Sequence, residues 1–198
     1  MSEASVSAVN ALTLAYTIIL SFSVTEALRQ FVNDGPTENT GKQVLWDRLI
    51  ALVTFLFLVV PFIHGMNRYV FHVYLTPPRP EPYSLYLLFD VLLFTIEAAV
   101  FFVLSRFLLL DQWRDFVTGV TVLLGVDVVW GSLVSWMHCP AIAGWVMINA
   151  CTIPFLIAIR VWYPATWSNR WSAILCMIVV ILRTGIDYWI LRSLYFPM

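Results

Sequence analysis

Six long apolar stretches, near residues 10–31, 48–74, 84–110, 114–138, 142–162 and 171–195, occupy most of this chain, yet ionisable side chains sit well inside them. Each stretch supplies the roughly 20 predominantly apolar residues that a membrane-crossing helix requires. The chain therefore reads as an all-α integral membrane protein, a six-transmembrane-helix bundle forming one polytopic domain over residues 1–198. A composition of 61% hydrophobic and 12% charged residues lies outside the soluble globular range and leaves no length for a separate soluble domain.

No Lys or Arg precedes Arg29. The N-terminus thus lacks the basic region of a cleaved signal peptide, and the first span is expected to be retained. Positive charge collects after spans 1, 3 and 5 (Lys42, Arg48, Arg106, Arg114, Arg160 and Arg170, with Arg29 at the end of span 1), against Arg79 and Arg192 on the other side. By the positive-inside rule those loops are cytoplasmic and both termini are not, in a plasma (inner) membrane. Trp46, Trp113, Trp162, Trp167 and Trp171 then form an inner aromatic belt. Tyr74, Tyr83, Trp136, Trp145 and Tyr195 form the outer one. The connections, Asn33 to Gly41 and the loop holding Pro77, Pro78, Pro80 and Pro82, read as spacers.

The ionisable residues inside the spans are the functional candidates. A charge at the bilayer centre costs roughly 2.5–3.5 kcal/mol, so such side chains face one another, water or a substrate. With a rise of about 1.5 Å per residue, Glu97, Asp127 and Arg183 fall near the midplane; His64, Asn149 and Asp187 lie about 5 Å outward, and Asn67, Arg68 and Asp90 about 10 Å outward. Four-residue spacing places Arg183 with Asp187, and His64 with Arg68, on shared helix faces that point inward. The expected ion pairs are Arg68 with Asp90, and Arg183 with Glu97 or Asp127. Four carboxylates against two guanidinium groups leaves a surplus that a bound cation or a proton must offset. Glu26, three residues before Arg29, reads more simply as half of a local pair, and is a secondary candidate.

Pro61 and Pro154 fall at corresponding positions of two three-span halves, within VPFI and IPFL. Helix interruptions at matching positions of a 3+3 inverted repeat are a hallmark of secondary transporters, whose sites lie between the repeats. The plainer reading is two isolated prolines whose freed carbonyls are satisfied by neighbours.

Cofactor chemistry finds little support. Cys139, Cys151 and Cys176 lack a ligand spacing and read as small apolar fillers. A haem or transition metal between His72 and His138, with Cys139 adjoining, would need a geometry and supporting partners that the spacing does not supply. No cofactor is expected, and the one lysine, Lys42, lies in a loop, which excludes a retinal Schiff base within the spans. No nucleophile elbow, zincin helix, phosphate loop or dinucleotide fingerprint is present.

The leading expectation is a small membrane transporter or channel. Glu97, Asp127 and Asp187 bind a cation or proton, His64 relays protons, and Arg68, Asp90 and Arg183 hold the layer together. Its partners are the lipid bilayer and a small cation or proton, with a homo-oligomer as a further option and no nucleic acid. Two alternatives stand beside it. One is a non-catalytic sensor, effector or complex subunit whose buried charges are interhelical glue. The other is an intramembrane enzyme acting on lipid or quinone through an acid or base.

Overall fold

The computed structural model describes residues 3–33, 41–75, 85–108, 112–137, 139–162 and 169–196. They form the helices α1 (Glu3–Asn33), α2 (Gly41–Val70), α3 (Leu85–Arg106), α4 (Trp113–Met137), α5 (Ala143–Trp162), α6 (Asn169–Ile190) and the short α7 (Arg192–Tyr195). No strand occurs among the described residues. The first six are long and apolar enough to cross a membrane. A helix satisfies its backbone groups within itself, so uninterrupted apolar sequence of this length has no better solution when water is scarce. Pro77, Pro78, Pro80, Pro82, Arg79, Tyr83, His138 and Trp167 lie outside the described residues.

The six long helices close into a ring whose order differs from chain order. α1 packs between α2 and α3; α3 then meets α4, α4 meets α5, α5 meets α6, and α6 returns to α2. Contacts between α2 and α3, and between α4 and α6, are slight. The two halves consequently pack differently, since α1 packs on α3 whereas its counterpart α4 packs on α5 and barely touches α6. This asymmetry speaks against the 3+3 repeat.

Neither proline interrupts its helix. α2 runs through Pro61 and α5 through Pro154, with Pro61 buried and Pro154 exposed. A proline removes the N–H that would bond the carbonyl four residues back. For Pro61 that carbonyl belongs to Phe57, and the Thr184 hydroxyl of α6 donates to it at 2.9 Å. The missing bond of α2 thus becomes a bond between α2 and α6, next to Arg183.

Departures from regular helix lie elsewhere, one of them a 3-10 turn at Pro140–Ile142 that leads into α5. α2 continues into a widened π turn over Phe71–Leu75. The last span ends at Ile190, short of 195, because Leu191 leaves helical geometry (φ −97°, ψ 21°) before α7 begins. The core is strongly aromatic. Phe62 meets Phe101 edge-on at 5.2 Å and Trp145 at 5.9 Å, and Tyr69 meets Trp130 at 4.8 Å. Each such pair contributes about 0.5–1.5 kcal/mol beyond area burial. Gly65 is required here, because a Cβ at that position would run into the Trp145 indole.

Four rings expected in the interfacial belts are core residues instead: Tyr74, Trp113, Trp145 and Tyr195 are buried, while Trp46, Trp136 and Trp171 are exposed. Buried hydroxyls find partners inside, and that draws the tyrosines inward. The side chain of Trp162 lies outside the described set.

Candidate functional site

The buried charged residues, among those described, are Asp90, Glu97, Asp127 and Asp187 against the single guanidinium of Arg183. The ring brings them into two groups that meet on α3, where Asp90 and Glu97 share a face seven residues apart.

Around Asp90, Tyr69 donates to Oδ2 at 2.8 Å, Tyr74 to the same oxygen at 2.7 Å, and the Trp130 indole N–H to Oδ1 at 3.0 Å. Tyr69 and Tyr74 are five residues apart, which in an α-helix would separate them by about 140°. The π turn narrows that angle, because it places residues five apart on nearly one face. The expected Arg68–Asp90 ion pair does not form. α2 and α3 are not ring neighbours, and Tyr69, about 100° further round the helix, is the residue that reaches Asp90. Arg68 lines a cavity of about 410 Å³ with His72, Ala141 and Ser193 instead.

A second group runs as a line across the bundle. Glu97 faces Asp127, and the Tyr16 hydroxyl faces Glu97. Asp127 Oδ2 accepts from Asn149 Nδ2. Asn149 Oδ1 accepts both Nε and Nη2 of Arg183, at 2.9 and 2.7 Å. Arg183 Nη1 lies 3.5 Å from Asp187 Oδ2, and Tyr195 donates to that same oxygen at 2.9 Å. The guanidinium also sits over the Phe62 ring, 5.5 Å from its centre. Burial, reinforced by Asp187, holds the Tyr195 phenol well above its ordinary pKa, so it serves as a donor.

Arg183 was expected to touch Glu97 or Asp127 directly. It reaches Asp127 through Asn149, because α5 lies between α4 and α6 in the ring. An amide is the side chain suited to that place, since it accepts from the cation with one end and donates to the carboxylate with the other.

The line has unfilled positions. Glu97 Oε1, Asp187 Oδ1, Arg183 Nη1 and the Tyr16 hydroxyl are buried and have no hydrogen-bond partner among the described residues. His64 stands at the end of the line near Tyr195, half-buried, with Nδ1 3.2 Å from the Tyr188 hydroxyl and its ring 4.9 Å from that of Tyr195. Arg68 is likewise half-buried. Asn67 is half-buried, its Oδ1 without a hydrogen-bond partner among the described residues. Glu26 is apart from the line, held by Arg29 through two 2.9 Å bonds and by Gln30 at 3.2 Å.

Among the described residues no three His, Cys, Asp or Glu side chains gather as metal ligands. Cys139 and Cys176 are buried, whereas Cys151 is exposed and is no core filler. Burial raises the Cys139 thiol pKa, keeping it protonated.

Sequence reading missed Tyr16, Tyr69, Trp130 and the roles of Tyr74 and Tyr195. A hydroxyl or indole N–H in an apolar run carries no charge to mark it, and only the ring order shows which acid it meets. Set against protein-family models, curated proteins and solved structures, the chain matches none.

Proposed function

We propose that this chain is an integral membrane protein of six transmembrane helices that carries protons or small cations, with the Glu97–Asp127 pair as its binding site. One observation carries the reading: a buried carboxyl, Glu97, has no hydrogen-bond partner at Oε1 among the described residues and faces a second acid. Two carboxyls so placed in a water-poor interior need a proton or a cation between them. The line through Asn149, Arg183, Asp187 and Tyr195 supplies donors and acceptors from that pair toward the end where His64 and Tyr188 stand. Both termini are assigned to the non-cytoplasmic side from the loop charges, in a plasma (inner) membrane.

The test is flux into liposomes holding the purified protein, with proton, sodium and potassium gradients imposed in turn. Wild type is expected to pass one of these ions, and Glu97→Gln or Asp127→Asn to lower that flux by at least about tenfold, the cost of one lost charged contact. No flux under any gradient from folded wild-type protein would overturn the proposal.

A second reading, an enzyme acting on a lipid or quinone, draws on two grooves that open sideways, one between α1 and α3 and one between α5 and α6. It predicts turnover of a bilayer component that stops in Asp127→Asn without any ion flux in wild type.

A further inference from the structure

The larger groove, about 590 Å³, lies between the N-terminal halves of α1 and α3. That volume is in the range of roughly 300–1,000 Å³ common to small-molecule sites. Its α1 wall is built from Ala8, Ala11 and Ala15, whose spacing puts methyl groups along one face where larger side chains would close the gap. Val91 belongs to the α3 wall, and the groove's inner wall is formed by Tyr16 and Phe94, with ring centres 5.5 Å apart.

Tyr16 gives this groove a polar end. The residue is 2% exposed, its hydroxyl has no hydrogen-bond partner among the described residues, and beyond it lies Glu97, whose Oε1 is likewise unpartnered. An apolar groove that ends at the Tyr16 ring, with that residue's hydroxyl facing the Glu97 carboxyl behind it, fits a molecule with an apolar body and a single polar head. The sign of that head follows from the buried charges along the line, the carboxyls of Glu97, Asp127 and Asp187 against the guanidinium of Arg183. A second anion beside Glu97 would add to the imbalance, a neutral alcohol would leave it, and a cation would reduce it.

We infer that the α1/α3 groove admits a cationic amphiphile, an alkyl amine in chemical class, from the side of the bundle, with Tyr16 as the partition between its apolar body and the Glu97–Asp127 pair. The inference rests on the cation-binding reading of that pair and names the class of cation. Movement of the Tyr16 ring opens the way for the ammonium group to reach the Glu97 carboxyl, and no covalent step is involved.

The experiment uses the full chain in liposomes with photoreactive diazirine derivatives of dodecylamine, dodecanol and dodecanoate, mapping the labelled peptides by mass spectrometry. The amine is expected to label the α1 and α3 peptides at least about tenfold more than the alcohol or the carboxylate, a factor matching one charged contact, and to be displaced by untagged dodecylamine. Ala15→Trp, which fills the groove from its exposed face, and Glu97→Gln should each lower labelling by a similar factor. Tyr16→Phe provides a variant that removes only the hydroxyl and is expected to fold as wild type, with weaker labelling. Equal labelling by all three probes, or undiminished labelling in folded Glu97→Gln, would overturn the inference. Flux measured on the same liposomes separates the two proposals. Ion flux without selective amine labelling removes the groove and leaves the acid pair. Selective labelling without flux removes ion transport and leaves the groove.

Discussion

Asp90 and Glu97 stand two turns apart on one face of α3, at 1% and 2% exposure, and their surroundings are opposite. Asp90 gathers two phenols and an indole from α2, its π turn and α4. Glu97 has an Oε1 without a hydrogen-bond partner among the described residues and another acid facing it. Helix and burial are the same, so the difference comes from what the neighbouring helices present. An acid enclosed by O–H and N–H donors is a fixed knot that ties helices together. An acid without them retains an unmet need for positive charge, and that distinguishes a structural carboxylate from a candidate site.

The contrast breaks most readily at Asp90. Asp90→Ala strands three buried donors and should cost about 3–5 kcal/mol, read from the unfolding midpoint in detergent. Glu97→Gln should cost nothing or stabilise, since it removes a carboxyl facing another carboxyl. Equal losses in the two variants would erase the distinction.

Asn149 tests whether the line beyond Glu97 is held as firmly as the Asp90 knot. Asn149→Leu separates Asp127 from Arg183 and should cost about 2–4 kcal/mol, because it leaves buried groups unpaired at both ends. A loss within experimental error would mean that Arg183 finds Asp127 without the amide.

Thr184 sharpens the comparison at the backbone. Thr184→Val should cost about 1–2 kcal/mol by orphaning the Phe57 carbonyl. In a Pro61→Ala background most of that cost should vanish, since the restored N–H at position 61 reaches the same carbonyl. A double-mutant cycle measures this coupling, and additivity would refute it.

The smallest effect belongs to Glu26. Its pair with Arg29 is local and partly solvated, so Glu26→Gln should change neither the unfolding midpoint nor ion flux measurably. A loss of flux there would extend the site toward the opposite end of α1.

Much of the fold was legible, and the reason is geometric. Six apolar runs of about 20 residues or more give six long helices wherever their side chains go, and their bounds agree with the sequence reading to within several residues at most ends. The partners inside were only partly legible. Four-residue spacing does pair Arg183 with Asp187. Depth along the helix axis placed Arg68 level with Asp90, but depth leaves open which residue faces which, and one position along the helix turned the contact over to Tyr69. Tyr195 and Asp187 are eight residues apart, about 12 Å along a straight helix, and meet across the irregular residue Leu191.

By itself, then, the sequence determined the number and approximate extent of the helices and the presence of an acid-rich interior, because those depend on local hydropathy and on rise per residue. The tertiary structure decided which acid is satisfied and which is not. That outcome depends on ring order, on the widened turn at Phe71–Leu75 and on the irregular residue Leu191, and each of these sets the direction a side chain faces, a property that no count of residues along one helix contains.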